Sequence, residues 1–285
     1  MPLLLIRYGE IGLKSTSVRR RFEAQLVDDV RRRHALAGVP CVISQSRGRV
    51  FLDSDDWKRS CEILTRTFGI VSFSPTAKVS SALPELTKDV VEFAKPLVFK
   101  GASFAIRSRR SGNHPYTSQS LAASLGDSVL KAFPDLGLSV DLEEPDVEIS
   151  VEVREKEAYL FSSVLAGPGG MPLGSQGRAL MVVSTARGLA SAWLMMKRGC
   201  SAVVATDDPG RVEPLAKWYP NLKTTGVEDD LFAVAAANGC IGIALEWSLK
   251  EIQSRGPLKG DLPVFYPLVG MDENDTKGLL DRIVA

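Results

Sequence analysis

The chain is short of residues that staple or ligate. It carries 4 cysteines and 2 histidines in 285 residues. Cys41, Cys61, Cys200 and Cys240 are far apart and form no CxxC, so neither a disulfide framework nor a zinc site is predicted. Such unpatterned cysteines fit a reducing compartment. His34 and His114 have no spacing that makes a catalytic triad. No stretch approaches the roughly 18–20 consecutive apolar residues of a membrane span. The apolar start, Leu3 to Ile6, is too short for a signal peptide and no basic segment precedes it. A cytoplasmic protein is predicted.

What is present is globular. Apolar residues make up 45% and charged residues 24%, which excludes disorder as the main state. The length predicts two domains, or three small ones. The net charge of +1 hides an imbalance: residues 1–120 hold 20 Lys+Arg against 11 Asp+Glu, whereas residues 121–285 hold 15 against 23. A basic first part predicts contact with a polyanion.

Residues 1–78 read as β-α-β-β-α-β. Leu3 to Tyr8 is an apolar strand, and Ser15 or Ser17 caps a helix with Val18, Phe22, Leu26 and Val30 on one stripe. Cys41 to Ser46 and Val50 to Asp53 are strands around a turn at Arg47-Gly48-Arg49. Trp57 to Phe68 is a second helix, and Ile70 to Phe73 a last strand before Pro75. This order is the split βαβ of ferredoxin-like domains. Residues 79–171 hold helices marked by Leu86 and Val90 and by Leu121, Leu125 and Val129. Strands are predicted at Phe104 to Ile106, Val147 to Val153 and Ala158 to Phe161. Gly167 to Gly170 reads as a linker. Residues 172–285 alternate strands (Ala179 to Val183, Cys200 to Ala205, Ile241 to Leu245) with helices (through Trp193 to Lys197, Leu231 to Ala237, Asp275 to Val284). That alternation predicts a small, Rossmann-like parallel sheet. The fold class is therefore a multi-domain combination of α/β and α+β parts.

The basic clusters carry the first functional signal. Arg19-Arg20-Arg21 and Arg31-Arg32-Arg33 lie near the two ends of the first helix, and Arg47 and Arg49 flank a hairpin tip. Arg107, Arg109 and Arg110 follow a strand, with His114 beyond, and no acid lies between Gly101 and Ser120. Arg20, Arg21, Arg31, Arg32, Arg47, Arg49, Arg107, Arg109, Arg110 and His114 are the candidate contacts to nucleic-acid phosphates. A solvated helix face explains the helix clusters equally well. Tyr116 can stack a base or pack on its own domain.

The second signal is positional. Ser184, Thr185, Ala186, Arg187 and Gly188 join the first parallel strand to a helix, where a helix amino end meets phosphate in nucleotide-binding folds. The loop has one glycine and matches neither GxxxxGK[ST] nor GxGxxG. Asp207 ends the next strand and is placed to meet a ribose or Mg²⁺, or to make a solvated turn. No catalytic residue and no metal ligand is assigned.

Taken together, these stretches resemble a family. Ile6-Arg7-Tyr8-Gly9-Glu10-Ile11-Gly12-Leu13-Lys14-Ser15, then Arg21-Phe22-Glu23, resembles the opening of ThiI, the tRNA 4-thiouridine synthetase family. Phe104 to Arg110 is similar to the arginine-bearing strand of a THUMP domain, and Pro145-Asp146-Val147 through Tyr159 to its closing hairpin. Gly167 to Gly174 resembles the family's linker. Leu194 to Gly199 and Tyr266 to Asp272 resemble parts of its ATP pyrophosphatase (PP-loop) domain. The resemblance implies a ferredoxin-like domain (1–78), a THUMP domain (79–171) and a PP-loop-type domain (172–285). It implies tRNA as partner, a homodimer, and ATP with Mg²⁺ for adenylating a uridine before sulfur transfer. It does not name the sulfur donor.

The departures from the family bear on activity. The family loop reads S-G-G-x-D-S. Here Ser184 is followed by Thr185, Ala186, Arg187 and Gly188, without the paired glycines, the aspartate or the second serine. Leu245 to Glu251 replaces the family's T-G-E-S-L-G-Q, and none of the four cysteines matches a family cysteine. The reading is a tRNA-binding member with an inactivated ATP site. The alternative is a working ATP-dependent sulfurtransferase with a rebuilt loop using Ser184, Arg187 and Asp207. A third is a pocket for another small ligand. The site, not the fold, must decide.

Overall fold

In the computed structural model, residues 3–46 and 48–285 are described. The elements of the first 80 residues are β1 (Leu3–Tyr8), α1 (Thr16–Leu36), β2 (Val42–Ser46), β3 (Arg49–Asp53), α2 (Trp57–Thr65) and β4 (Ile70–Ser80). The split βαβ order is as predicted. Ser15 is the residue ahead of α1, and Phe22, Leu26 and Val30 are buried on its inner stripe. One expectation needs correction: β4 does not stop before Pro75. It runs on to Ser80, and its antiparallel register with a later strand begins at Ala77, past the proline's missing N–H.

Next come α3 (Leu83–Ala94), β5 (Ser103–Ser111), α4 (Ser118–Ala132), β6 (Ser139–Val140), β7 (Val147–Arg154), β8 (Glu157–Phe161) and β9 (Leu165–Ala166). Thr117 and Ser120 form a reciprocal capping box that starts α4. Then follow β10 (Arg178–Val182), α5 (Ala186–Lys197), β11 (Ser201–Ala205), α6 (Glu213–Ala216), β12 (Lys223–Thr225), α7 (Leu231–Ala237), β13 (Ile243–Ala244), α8 (Leu249–Arg255), β14 (Val264–Phe265) and α9 (Glu273–Val284). Gly199, at φ +95°, lies just past the end of α5.

The chain packs as two compact units. The first comprises residues 1–6, 51–57 and 73–165. In it the strand order runs β3-β1-β4-β8-β7-β5-β6. β5 and β7 are parallel from Phe104↔Val147 to Ser111↔Arg154, and β7 and β8 form an antiparallel hairpin. Its core gathers Leu86, Val90, Phe104, Leu125, Val129, Ile149 and Leu160.

The second unit comprises residues 7–50, 58–72 and 166–285. Its sheet is parallel throughout, in the order β12-β11-β10-β13-β14. α1 and α2 belong largely to this unit, which chain order alone did not predict. Phe68 closes an aromatic triangle with Trp193 and Trp218, at centroid distances of 5.3–5.6 Å. Gln25 Nε2 donates to Leu173 O at 3.0 Å. Gly167 to Gly170 is not a loose linker. The Gly167 and Gly169 N–H groups donate to Val71 O and Ile70 O, and a Cβ on Gly167 would fall 2.2 Å from Ile70 O. The glycine permits that backbone approach.

Candidate functional site

The parallel sheet reverses its direction of growth at β10, with β11 on one side and β13 on the other. The loops after these strands meet at the carboxyl edge, where such sheets bind ligands. Val183, the residue after β10, is fully buried, whereas Ser184, Thr185 and Ala186 are exposed. Thr185 caps α5 by accepting the Arg187 N–H at 3.2 Å. Its own N–H donates to Glu246 Oε2 at 3.2 Å. Glu246 lies two residues past the end of β13 and is half-buried. Gly188 is buried beneath it: a Cβ there would lie 2.4 Å from Glu246 Oε2 and 2.7 Å from Val183 Cα. The loop's one glycine thus makes room for a carboxylate of this same chain.

The cations at this edge are already engaged. Arg187 Nη2 donates to Glu246 O at 2.8 Å and pairs with Glu251 Oε2 at 2.9 Å. Glu251 Oε2 also accepts the Ser248 N–H and hydroxyl, both at 2.7 Å. These Ser248 bonds, with Arg187 behind them, pull the Glu251 carboxyl down to about 2. Asp207 pairs with Arg211 at 2.5 Å, and that guanidinium holds the Asp207 carboxyl below its usual range. Arg211 also reaches Val183 O at 3.4 Å and Asp208 at 3.7 Å. The structure therefore brings Asp207 and the Ser184–Gly188 loop to one edge through Arg211. Glu246, Glu251 and Arg211 were not among the residues singled out from sequence. Their only signal was an acid directly after a predicted strand at the reversal point.

Beside Arg187 lies a cleft of about 930 Å³, whose walls include Leu249, Lys250, Leu268, Met271, Lys277 and Leu280. Among the described residues no group of three His, Cys, Asp or Glu side chains is placed to hold a metal. Among the same described residues no helix is long and apolar enough to cross a membrane.

The basic residues separate into exposed ones and ones engaged within the fold. In the first unit Arg109 and Arg110 are exposed at the end of β5. Arg107 is half-exposed and tied to Glu148 at 3.1 Å and to Leu142 O at 2.6 Å. His114 bonds Ser111 O and stacks on Tyr116 at 5.5 Å. The Tyr116 hydroxyl donates to Ser81 O, and its ring packs against that unit's own core. In the second unit Arg20, Arg21, Arg31 and Arg32 are exposed along α1. Arg31 pairs with Asp28 at 2.8 Å, and Arg32 lies 3.8 Å from Asp29. Arg49 is half-buried and donates back to Gly48 O at 3.0 Å. Arg47 lies outside the described residues. Arg33, counted in a basic run from sequence, is buried: Nε meets Asp29 Oδ2 at 2.8 Å and Nη2 donates to Trp218 O at 2.5 Å.

Comparison with known proteins gives this arrangement its class. Residues 80–163 match the THUMP domain model, and residues 3–74 match the ThiI ferredoxin-like domain model. The probable tRNA sulfurtransferase of Methanothermobacter thermautotrophicus is 37% identical over a 338-residue alignment covering 99% of this chain and 84% of that protein. The alignment is longer than this chain, so the relative carries insertions within the matched span. That of Methanosarcina acetivorans is 38% identical, covering 99% and 81%. The match to that of Methanobrevibacter smithii, 39% identical, spans 70% of this chain and about half of the relative, 52%. Among solved structures, PH1313 from Pyrococcus horikoshii Ot3 covers both chains in full at 26% identity and a TM-score of 0.84. A 4-thiouridine synthetase–RNA complex with bound ATP shares the fold at a TM-score of 0.76 and 22% identity, over 99% of this chain and 85% of that one. The chain belongs to the ThiI family of tRNA sulfurtransferases.

Proposed function

We propose that this protein is a tRNA-binding member of the ThiI family, tied to uridine thiolation, whose parallel-sheet segment does not use ATP. The THUMP match and the exposed arginines Arg109 and Arg110 within it support the tRNA part. In each unit the exposed cations are placed to neutralise phosphates without reading bases. The reading implies a cytoplasmic protein organised as three domains, 1–78, 79–171 and 172–285, and leaves a homodimer open to sedimentation.

The closed α5 amino end carries the ATP part. A nucleotide needs free N–H donors, room for close approach and available cations at this edge. Here a Thr185 donor is taken by Glu246, the Gly188 space is filled, and Arg187 is bonded to Glu246 O and Glu251. These residues do not fit ATP.

The test is equilibrium binding of tRNA and of labelled ATP with Mg²⁺. Salt-sensitive tRNA binding, with no ATP bound at millimolar concentration with or without tRNA, is expected. Release of AMP that depends on tRNA would replace this reading with a working enzyme using Ser184, Arg187 and Asp207.

A further inference from the structure

We propose that Glu246 is an internal anion: its carboxylate fills the seat at the start of α5 that a phosphate group would take, and keeps that seat closed. The inference rests on the reading that this segment does not use ATP, and adds what stands in the ligand's place.

Three observations carry it. First, the start of a helix presents N–H groups without intrahelical partners and a partial positive charge. At α5, which spans 12 residues, three donors at the cap and in the first turn find partners within the chain. The Thr185 N–H goes to Glu246 Oε2, the Arg187 N–H to Thr185 Oγ1 and the Gly188 N–H to Thr185 O. Second, the space is fitted to a carboxylate. Glycine at 188 leaves that room, because a Cβ would stand 2.4 Å from Glu246 Oε2 and 2.7 Å from Val183 Cα, so that one of them would have to shift. Third, the neighbouring cations are balanced. Arg187 holds the Glu246 carbonyl and Glu251, and Arg211 holds Asp207 and faces Asp208. A phosphate entering here would meet a fixed negative charge and no spare cation from these two arginines.

Chemical rescue of the full chain tests this. Glu246→Gly removes the carboxylate and leaves a hole, whereas Glu246→Gln keeps the shape and loses the charge. Thermal unfolding is followed in sodium chloride, acetate and pyrophosphate at matched ionic strength. Glu246→Gly is expected to melt below wild type and to regain about 3 °C in acetate or pyrophosphate at ten times the dissociation constant. Wild type and Glu246→Gln are expected to show no such anion-specific gain. The Thr185 and Gly188 amide resonances should shift on titrating pyrophosphate into Glu246→Gly, which locates the anion. If the glycine variant does not fold, Glu246→Ala is read the same way. No anion-specific gain in the truncated variant, or an equal gain in wild type, would overturn the proposal. Loss of the tRNA reading would show separately, in tRNA binding to wild type.

Discussion

Replacing Arg33 is the sharpest probe of how α1 is held. The side chain is 5% exposed, and its partner Asp29 is 2% exposed. Arg33→Ala removes the 2.8 Å bond to Asp29 and the donor to Trp218 O. Among the described residues, Asp29 is then buried with Arg32, 3.8 Å away at the surface, left to balance it. Breaking one side of a buried pair costs about 3–5 kcal/mol, because the remaining charge has lost both water and partner. With a urea slope of about 2 kcal/mol per molar, the midpoint should fall by roughly 2 M. The melting temperature should fall by about 10 °C. Tryptophan fluorescence suits the measurement, since Trp193, Trp218 and Trp247 all lie in this packing unit. The double replacement Asp29→Leu with Arg33→Met removes both charges at similar volume and should recover most of the loss. A single-variant loss below about 1 kcal/mol would refute the reasoning, since Arg33 would then behave like an exposed arginine.

Three other outcomes are expected. Gly188→Ala should destabilise by about 1–3 kcal/mol, by differential calorimetry, because its methyl would strike Glu246 Oε2 and the Val183 backbone. His34 is buried, and burial lowers its pKa from 6.5 despite the bond to Val30 O; the unfolded chain therefore takes up a proton first as pH falls, so stability should drop below pH 6.5, and His34→Gln should flatten that slope in unfolding runs at pH 5 and 8. Arg109→Ala and Arg110→Ala should each weaken tRNA binding without changing sequence preference, and lower the slope of log K against log salt by about 0.7–0.9 per lost phosphate contact.

Local chemistry was legible in the sequence wherever one element decides its own shape. The Leu3 to Tyr8 and Leu231 to Ala237 elements lie where the apolar pattern places them. Short pieces were missed because two or three residues carry no period: β12 and β14 become strands only through their parallel neighbours. α8 was missed although Ser248 and Glu251 form a capping box, since that signal lay inside a stretch matched to a family loop. Pro75 was read as a stop, but a proline ends a strand only where its N–H is needed.

Side chains joined across long separations were beyond the sequence. Arg31, Arg32 and Arg33 are chemically identical in a row, yet only the third lies on the buried stripe, three residues past Val30, and its guanidinium meets a carbonyl 185 residues later, at Trp218. Glu246 meets Thr185 across 61 residues. Neither distance can be read from spacing.

Gly188 joins these lines. As the loop's one glycine it was a faint trace of a phosphate-binding turn. In the structure the same missing Cβ admits Glu246. A helix amino end with unpartnered donors and nearby arginines is costly when empty, for the donors stay unsatisfied and the cations repel. A partner from within the chain relieves that cost. Here Glu246 and Glu251 supply two carboxylates, one on the helix donor and one on Arg187. The helix, the sheet edge and the packing of Trp193 and Trp218 on Phe68 can then persist without ligand. That packing, with the Gln25–Leu173 and Arg33–Trp218 bonds, joins the parallel-sheet segment to residues of the first 78.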